Sequence, residues 1–254
     1  MKRLAGKTAL VTGASRGIGR GIARKLAQEG ALTAVHYGTN EQAAQETLRL
    51  ITQEGGHAFP IRAELGTPND INTLYTQLQN GLTQHGKKNQ LDILVNNAAA
   101  SGSARIHEVT PELFDHLFTI NTKSLLFLVQ RTLPHIPNGG RIINISSAAT
   151  RIAYPESIVY SMTKGALNTF TLALAKELAP RAITVNTINP GYIETDMNKR
   201  KRTTPAATTH LANQSAFNRL GQPTDIADIT AFLASDQSRW ITGQHLDASG
   251  GTHL

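Results

Sequence analysis

Seven short strand-like runs, the best marked of them rich in β-branched residues, recur along this chain, and longer segments with helical spacing of apolar residues separate them. The runs cover residues 8–12, 32–37, 57–62, 91–96, 141–146, 183–188 and 244–247, and the best marked helical segments cover 18–29, 41–54, 68–85, 111–133, 157–179 and 225–234. Strand and helix in strict alternation is the pattern of parallel βαβ units. Right-handed crossovers then leave little choice but a doubly wound parallel sheet with helices on both faces and a ligand crevice at the carboxyl ends of the strands.

At 254 residues the chain has room for one such domain, and no linker, repeat or low-complexity tract divides it. Apolar residues at 40% and charged residues at 17% fit a globular protein, and no apolar run approaches membrane-spanning length. Strand-like sequence begins by Thr8, leaving no room for a signal segment, so the expected location is cytoplasmic. Cysteine is absent, which excludes disulfides, thiolate catalysis and cysteine metal sites, and no metal is assigned. The net charge of +7 invites a nucleic-acid reading, but outside Lys199 to Arg202 the basic residues are scattered and no recognition motif accompanies them. Attraction to acidic or phosphorylated small molecules is the reading adopted.

Thr12-Gly-Ala-Ser-Arg-Gly-Ile-Gly19 joins the first strand to the first helix. Gly13 permits the turn, while Gly17 and Gly19 let a pyrophosphate approach the helix N-terminus and let helix and strand pack closely. NAD sites usually carry an acid just after the second strand to bind ribose hydroxyls, whereas this chain reads Tyr37-Gly-Thr-Asn40. With no acid there, a 2′-phosphate meets no repulsion. Arg16 is its expected partner, with Thr39 and Asn40 as neutral donors, so NADP(H) is the expected cofactor.

Further along, Ser147 directly follows the fifth run, and Tyr160 and Lys164 come next at a spacing that shares one helix face. A phenol titrates near 10, and bringing it to about 7 requires roughly 4 kcal/mol of differential stabilisation. An adjacent ammonium, with a second positive charge nearby, is expected to lower it.

Glycine loop, Asn96-Asn-Ala-Ala, Ser147, Tyr160-x-x-x-Lys164 and Asn189-Pro-Gly-Tyr-Ile-Glu-Thr195 stand in an order that resembles the short-chain dehydrogenase/reductase family, over almost the whole length. The C-terminal pattern, from Arg219-Leu-Gly-Gln-Pro through Gly250-Gly251, is similar to the 3-oxoacyl-[acyl-carrier-protein] reductase branch. The resemblance implies a single Rossmann-type domain of seven parallel strands, an NAD(P)-dependent carbonyl/alcohol oxidoreductase, and a homotetramer. It makes Tyr160 the proton donor in ketone reduction, Lys164 its partner and a ribose ligand, and Ser147 the group that holds the carbonyl. Asn121 takes the fourth catalytic position, expected to hold a water leading from Lys164. The expected cofactor contacts are Gly13, Ser15, Arg16, Gly17, Ile18, Gly19, Tyr37, Thr39, Asn40, Glu64, Leu65, Asn97, Ala98, Tyr160, Lys164, Pro190, Gly191, Ile193 and Thr195. Two positions depart from the family pattern: Ala99 replaces a glycine, and Glu64 stands where an aspartate is usual.

Specificity is expected from the loops 99–107, 148–157 and 192–215, with 195–215 a polar lid and Ser147, Tyr154 and Tyr192 touching substrate. The favoured reading is reduction of a ketone by NADPH, on a 3-oxoacyl thioester or a polyketide-like carbonyl, with a carrier protein as one candidate partner through the basic run. Oxidation of a sugar, steroid or xenobiotic alcohol is the alternative within the same chemistry, and a noncatalytic NADP(H) sensor the alternative outside it. Neither nucleic acid nor membrane is an expected partner. The helix 157–179 is apolar on more than one side, which predicts self-association.

Overall fold

The computed structural model describes residues 2–87 and 90–254. Seven strands, β1 (Thr8–Val11), β2 (Leu32–Tyr37), β3 (His57–Arg62), β4 (Ile93–Asn96), β5 (Arg141–Ile145), β6 (Thr184–Pro190) and β7 (His245–Ala248), form one sheet. They pair in the order β3-β2-β1-β4-β5-β6-β7, every pair parallel. The order reverses between β1 and β4, where the loops leaving the two strands diverge to opposite sides and open a crevice.

Strand residues alternate between two cores. Val11, Val35, Ile93, Val95, Ile143 and Ile188 face one side with α1 (Gly17–Gln28), α2 (Glu41–Gln53) and, after the intervening helices, α8 (Pro223–Ala234). Leu10, Ala34, Ile61, Leu94, Ile142 and Val185 face the other, with α3 (Asp70–Gln84), α5 (Ser124–Thr132) and α6 (Ile158–Leu178). Burial on both faces explains why the five inner strands read as largely apolar runs, while the edge strands β3 and β7 are partly exposed.

Three segments differ from expectation. The helix predicted over 111–133 arrives as α4 (Pro111–Phe118), a π-helical turn (Thr119–Lys123) and α5, and Asn121 lies in that widened turn. The segment 195–215 holds a 3₁₀ turn (Asp196–Lys201) and a short helix, α7 (Pro205–Ala212), started by Thr204 accepting from the Ala207 N–H at 3.1 Å and by Pro205. Its threonines and alanines disguised a helix whose cap is conventional. The last helix begins two residues early, at Pro223, because Asp225 accepts from the Gln222 N–H at 2.7 Å. Among the described residues no helix is long and apolar enough to cross a membrane.

The first glycine loop and α1 meet without space for a side chain. A Cβ on Gly19 would stand 2.2 Å from the Gly13 carbonyl oxygen and 2.5 Å from Asn97 Nδ2. Alanine in a helix gains about 1 kcal/mol over glycine, but backbone must move to admit this methyl. Gly19→Ala is therefore expected to lower stability in urea unfolding by about 1–3 kcal/mol; a neutral or stabilising result would contradict the packing described.

Candidate active site

The crevice above β1 and β4 is a cavity of about 1040 Å³. Gly13 and Gly17 sit at φ +63° and +54°, the left-handed region that favours glycine, and bend the chain from β1 into α1. The β4 side of the loop is closed by hydrogen bonds. Thr12 Oγ1 accepts the N–H groups of Asn97 and Ala98, both at 2.9 Å, while Asn97 Nδ2 donates to the carbonyls of Thr12 at 2.8 Å and Gly13 at 3.2 Å.

On the β2 side the loop is closed by a residue that motif reasoning passed over. His36 Nδ1 lies 3.1 Å from the Gly13 N–H, and Nε2 lies 2.9 Å from the Ala63 carbonyl. A backbone N–H can only donate and a carbonyl can only accept, so the partners assign the neutral tautomer with its proton on Nε2. Burial holds the ring well below its ordinary value, at about 4. The signal was present in Val35-His-Tyr37, a polar residue inside a strand that is otherwise apolar and β-branched.

Ser15, Arg16, Gly17, Ile18 and Gly19 line the cavity where α1 begins, and Tyr37, Thr39, Asn40 and Leu65 line its β2 and β3 side. No acid follows β2 before Glu41, and Asn40 Oδ1 is occupied in capping α2 through the Ala43 N–H at 2.9 Å. The Arg16 guanidinium is exposed and 3.9 Å from the Asp196 carboxylate, a contact too solvated to hold it. Glu64 is exposed and outside the lining, although Ala63 and Leu65 on either side belong to it. Alternation of side chains at the end of β3 turns it outward. These residues fit a dinucleotide: glycine backbone and a helix N-terminus for its phosphates, and a cation with neutral donors where a carboxylate would repel one more.

Asn97, Ala98 and Ala99 connect this end to the other, where Ser147, Tyr154, Tyr160, Lys164, Pro190, Gly191, Tyr192, Ile193 and Thr195 line the wall. Ser147 sits at the end of β5 and accepts the Ala149 N–H at 3.1 Å, which leaves its hydroxyl proton free to point elsewhere. Tyr160 and Lys164 share a face of α6, the Lys164 Nζ 5.6 Å from the Tyr160 ring centroid and 2.9 Å from the Ile145 carbonyl.

Asn121 does not line the cavity. It is buried, exchanging hydrogen bonds with the Ala100 backbone at 2.8 and 3.0 Å and donating to Thr163 Oγ1 at 3.1 Å. Thr163 in turn donates to the Tyr160 carbonyl at 2.7 Å. The Asn121 amide thus braces the backbone of Tyr160 through Thr163, with its NH2 group donating to both Ala100 and Thr163.

The electrostatics of the pair run against the expected direction. Burial pushes Tyr160 up to about 12, opposed by a hydrogen bond with Ser147. Lys164 is itself pulled down to about 8 by burial. Desolvation of the phenolate is the larger influence, and the hydrogen bond with Ser147 offsets only part of it. The phenol is consequently held in its acid form. Together these groups can donate hydrogen bonds to a carbonyl oxygen and give it a proton, while among the described residues no group of three or more His, Asp or Glu side chains could hold a metal ion.

Residues 13–253 match the family described as enoyl-(acyl carrier protein) reductase. Among solved structures, the promiscuous reductase LugOII, which catalyses keto-reduction at C1 during lugdunomycin biosynthesis, is 52% identical over 98% of both chains, with a TM-score of 0.95. The angucycline C-6 ketoreductase LanV, solved with bound NADP, is 48% identical over 98% of this chain and 96% of its own, with a TM-score of 0.94. Versicolorin reductase stcU of Emericella nidulans is 37% identical over 98% of this chain and 96% of its own.

Lys164 keeps its proton to 10.5 in an unfolded chain but only to about 8 in the fold. Between those values the unfolded state binds the extra proton, so stability rises with pH there and falls as pH drops through 8. Tyr160 acts oppositely, but only above its ordinary value of 10. The span from about 8 to 10 therefore isolates the lysine, whose two values differ by roughly 3 kcal/mol. Lys164→Met should be more stable than the parent near neutral pH by about 1–3 kcal/mol and should lack the rise across that span. Urea melts at several pH values read both effects, and parallel curves for the two proteins would refute the assignment.

Proposed function

The chain belongs to the short-chain dehydrogenase/reductase family, and on that premise we propose that it is an NADPH-dependent ketoreductase acting on a flat aromatic, polyketide-like ketone. The observation that carries the reading is the convergence of Ser147, Tyr160 and Lys164 on one end of a cavity whose other end is a glycine cradle. NADP(H) as the cofactor is supported by the absent acid after β2, by Arg16, and by the bound NADP of LanV. Bound NADPH would supply the hydride.

The Ser147 hydroxyl donates to the ketone oxygen and orients it, which fixes the carbon for attack. Charge that develops on that oxygen is met by Ser147 and Tyr160 together. Tyr160 then gives up its proton, a transfer favoured by an alkoxide being a stronger base than even an elevated phenolate. Lys164, charged at neutral pH, stabilises the phenolate left behind. A phenol held protonated suits reduction better than oxidation, which needs the phenolate from the start.

The substrate end supports an aromatic body. Tyr154 and Tyr192 meet edge to face at 6.1 Å, and Lys201 Nζ stands 5.8 Å from the Tyr192 ring. The structure divides the basic run. Arg202 turns to Glu194 and the Thr195 carbonyl at 2.8 and 3.0 Å, whereas Arg200 and Lys201 line the cavity. Beside Tyr192, the cations Arg200 and Lys201 line the wall against one acid, Asp196. Such a wall favours a substrate with an ionised phenol or acid over a neutral one.

Leu126 and Phe127 on α5 and Met162 and Leu172 on α6 remain 40–51% exposed, which supports self-association through these two helices. Sedimentation at low concentration should give a dimer or tetramer, and monomer alone would count against it.

Turnover of NADPH should be followed with a hydroxylated tetralone, its methyl ether and an acetoacetyl thioester. The tetralone should be the best substrate. Tyr160→Phe is expected to lower kcat by about 10²–10⁴ and leave NADPH affinity within about threefold. Replacing Arg200 and Lys201 by Gln should raise KM for the free phenol several-fold and spare its methyl ether. Full activity in Tyr160→Phe would overturn the mechanism, and preference for the thioester would overturn the substrate class.

A further inference from the structure

We propose that His36 is a positioning residue for the nucleotide, a neutral ring that fixes the shape of the adenosine half of the cavity and so sets cofactor affinity without taking part in hydride or proton transfer. The inference rests on the cofactor assignment made above. His36 is 2% exposed, yet it lines the cavity, so it sits between the core and the place a ligand would occupy.

Two turns depend on it. The ring accepts the Gly13 N–H at 3.1 Å and donates to the Ala63 carbonyl at 2.9 Å, tying the loop after β1 to the end of β3 across β2. Its own carbonyl accepts the Ala14 N–H at 2.8 Å. The first of these bonds acts at Gly13, the residue whose positive φ aims the rest of the loop along the cavity. An apolar residue in place of the ring would leave a buried donor and a buried acceptor unpaired, and a glycine turn can relieve that by moving.

That movement is confined to one end. Gly13 stays attached to β4 through Asn97, while Ser147, Tyr160 and Lys164 are carried by β5 and α6, and their hydrogen bonds run to Ala149, Thr163 and Ile145 rather than to Gly13 or Ala63. Loss of the ring should therefore appear in nucleotide binding and leave the chemical step intact once the site is saturated. A cation at this position is not what the site uses, because a second ring proton would face the Gly13 N–H, donor against donor.

NADPH affinity is measured by fluorescence titration, with kcat at saturating NADPH beside it. His36→Leu, checked for folding by its thermal transition, is expected to raise the NADPH Kd at least tenfold and to keep kcat within twofold. His36→Asn places Oδ1 near the position of Nδ1 and can still accept from Gly13. It should stay within threefold of the parent Kd. His36→Gln reaches toward Ala63 instead and should bind more weakly than Asn. Should the leucine variant fail to fold, the order of Asn and Gln decides. Parent-like Kd in a folded leucine variant, Gln binding as well as Asn, or a fall in kcat with Kd unchanged would each overturn the proposal. If the parent itself binds no NADPH, the cofactor assignment fails instead.

Discussion

The loop after β1 and the end of β4 approach each other more closely than side chains permit, and the positions of the other functional groups follow from that approach. Gly13 and Gly19 allow it sterically, since a Cβ on Gly13 would stand 2.9 Å from the Ala98 Cα. Thr12 and Asn97 make it specific by spending their polar atoms on each other's backbone. A crevice at the switch point of a doubly wound sheet is a consequence of topology. That this one has a floor of backbone, with room above it for phosphates, is a consequence of glycine at those two positions.

Most of this was legible in the sequence because it is written in local chemistry. β-branched runs buried on both faces mark parallel strands, and positive-φ glycines mark the turn. Strand ends moved by at most two residues, and the doubly wound parallel class followed from the alternation, whereas the order of the strands within the sheet came from the structure. What the sequence hid was chemistry between distant elements. His36 joins Gly13 to Ala63, and Asn121 joins Ala100 to Thr163, pairings that no local pattern announces. The direction of the Tyr160 shift was hidden for a related reason: helical spacing predicts proximity to Lys164 but says nothing of how far both groups are withdrawn from water.

Withdrawal from water explains why the pair needs so much support. A lysine inside the fold is destabilising even when its ammonium is hydrogen-bonded, and the carbonyl at the end of β5 that receives it here offsets only part of that cost. The backbone of the same residue accepts from Ser146, the neighbour of Ser147, so the lysine is held from strand and helix together. Tyr160 is braced through Thr163 and Asn121 from the widened turn between α4 and α5. Breaks in regular helix of this kind recur at functional sites because they redirect polar groups without ending the helix.

Orientation of α6 about its own axis has a separate cause beneath the site. Asn96 donates to Asn144, Asn144 to Thr171 and Thr187 to Thr171, each at 2.8 Å, a buried polar ladder running across β4, β5 and β6 into the helix. Thr171 lies two turns beyond Lys164 and therefore on the same face. Apolar packing alone lets a helix rotate or slide at modest cost as long as volume is filled. Directional bonds do not, since a turn of a few tens of degrees would strand several buried donors at once. The ladder thus keeps Lys164 under Ile145 and Tyr160 beside Ser147, and polar atoms far from any ligand become part of what holds the proton donor in place.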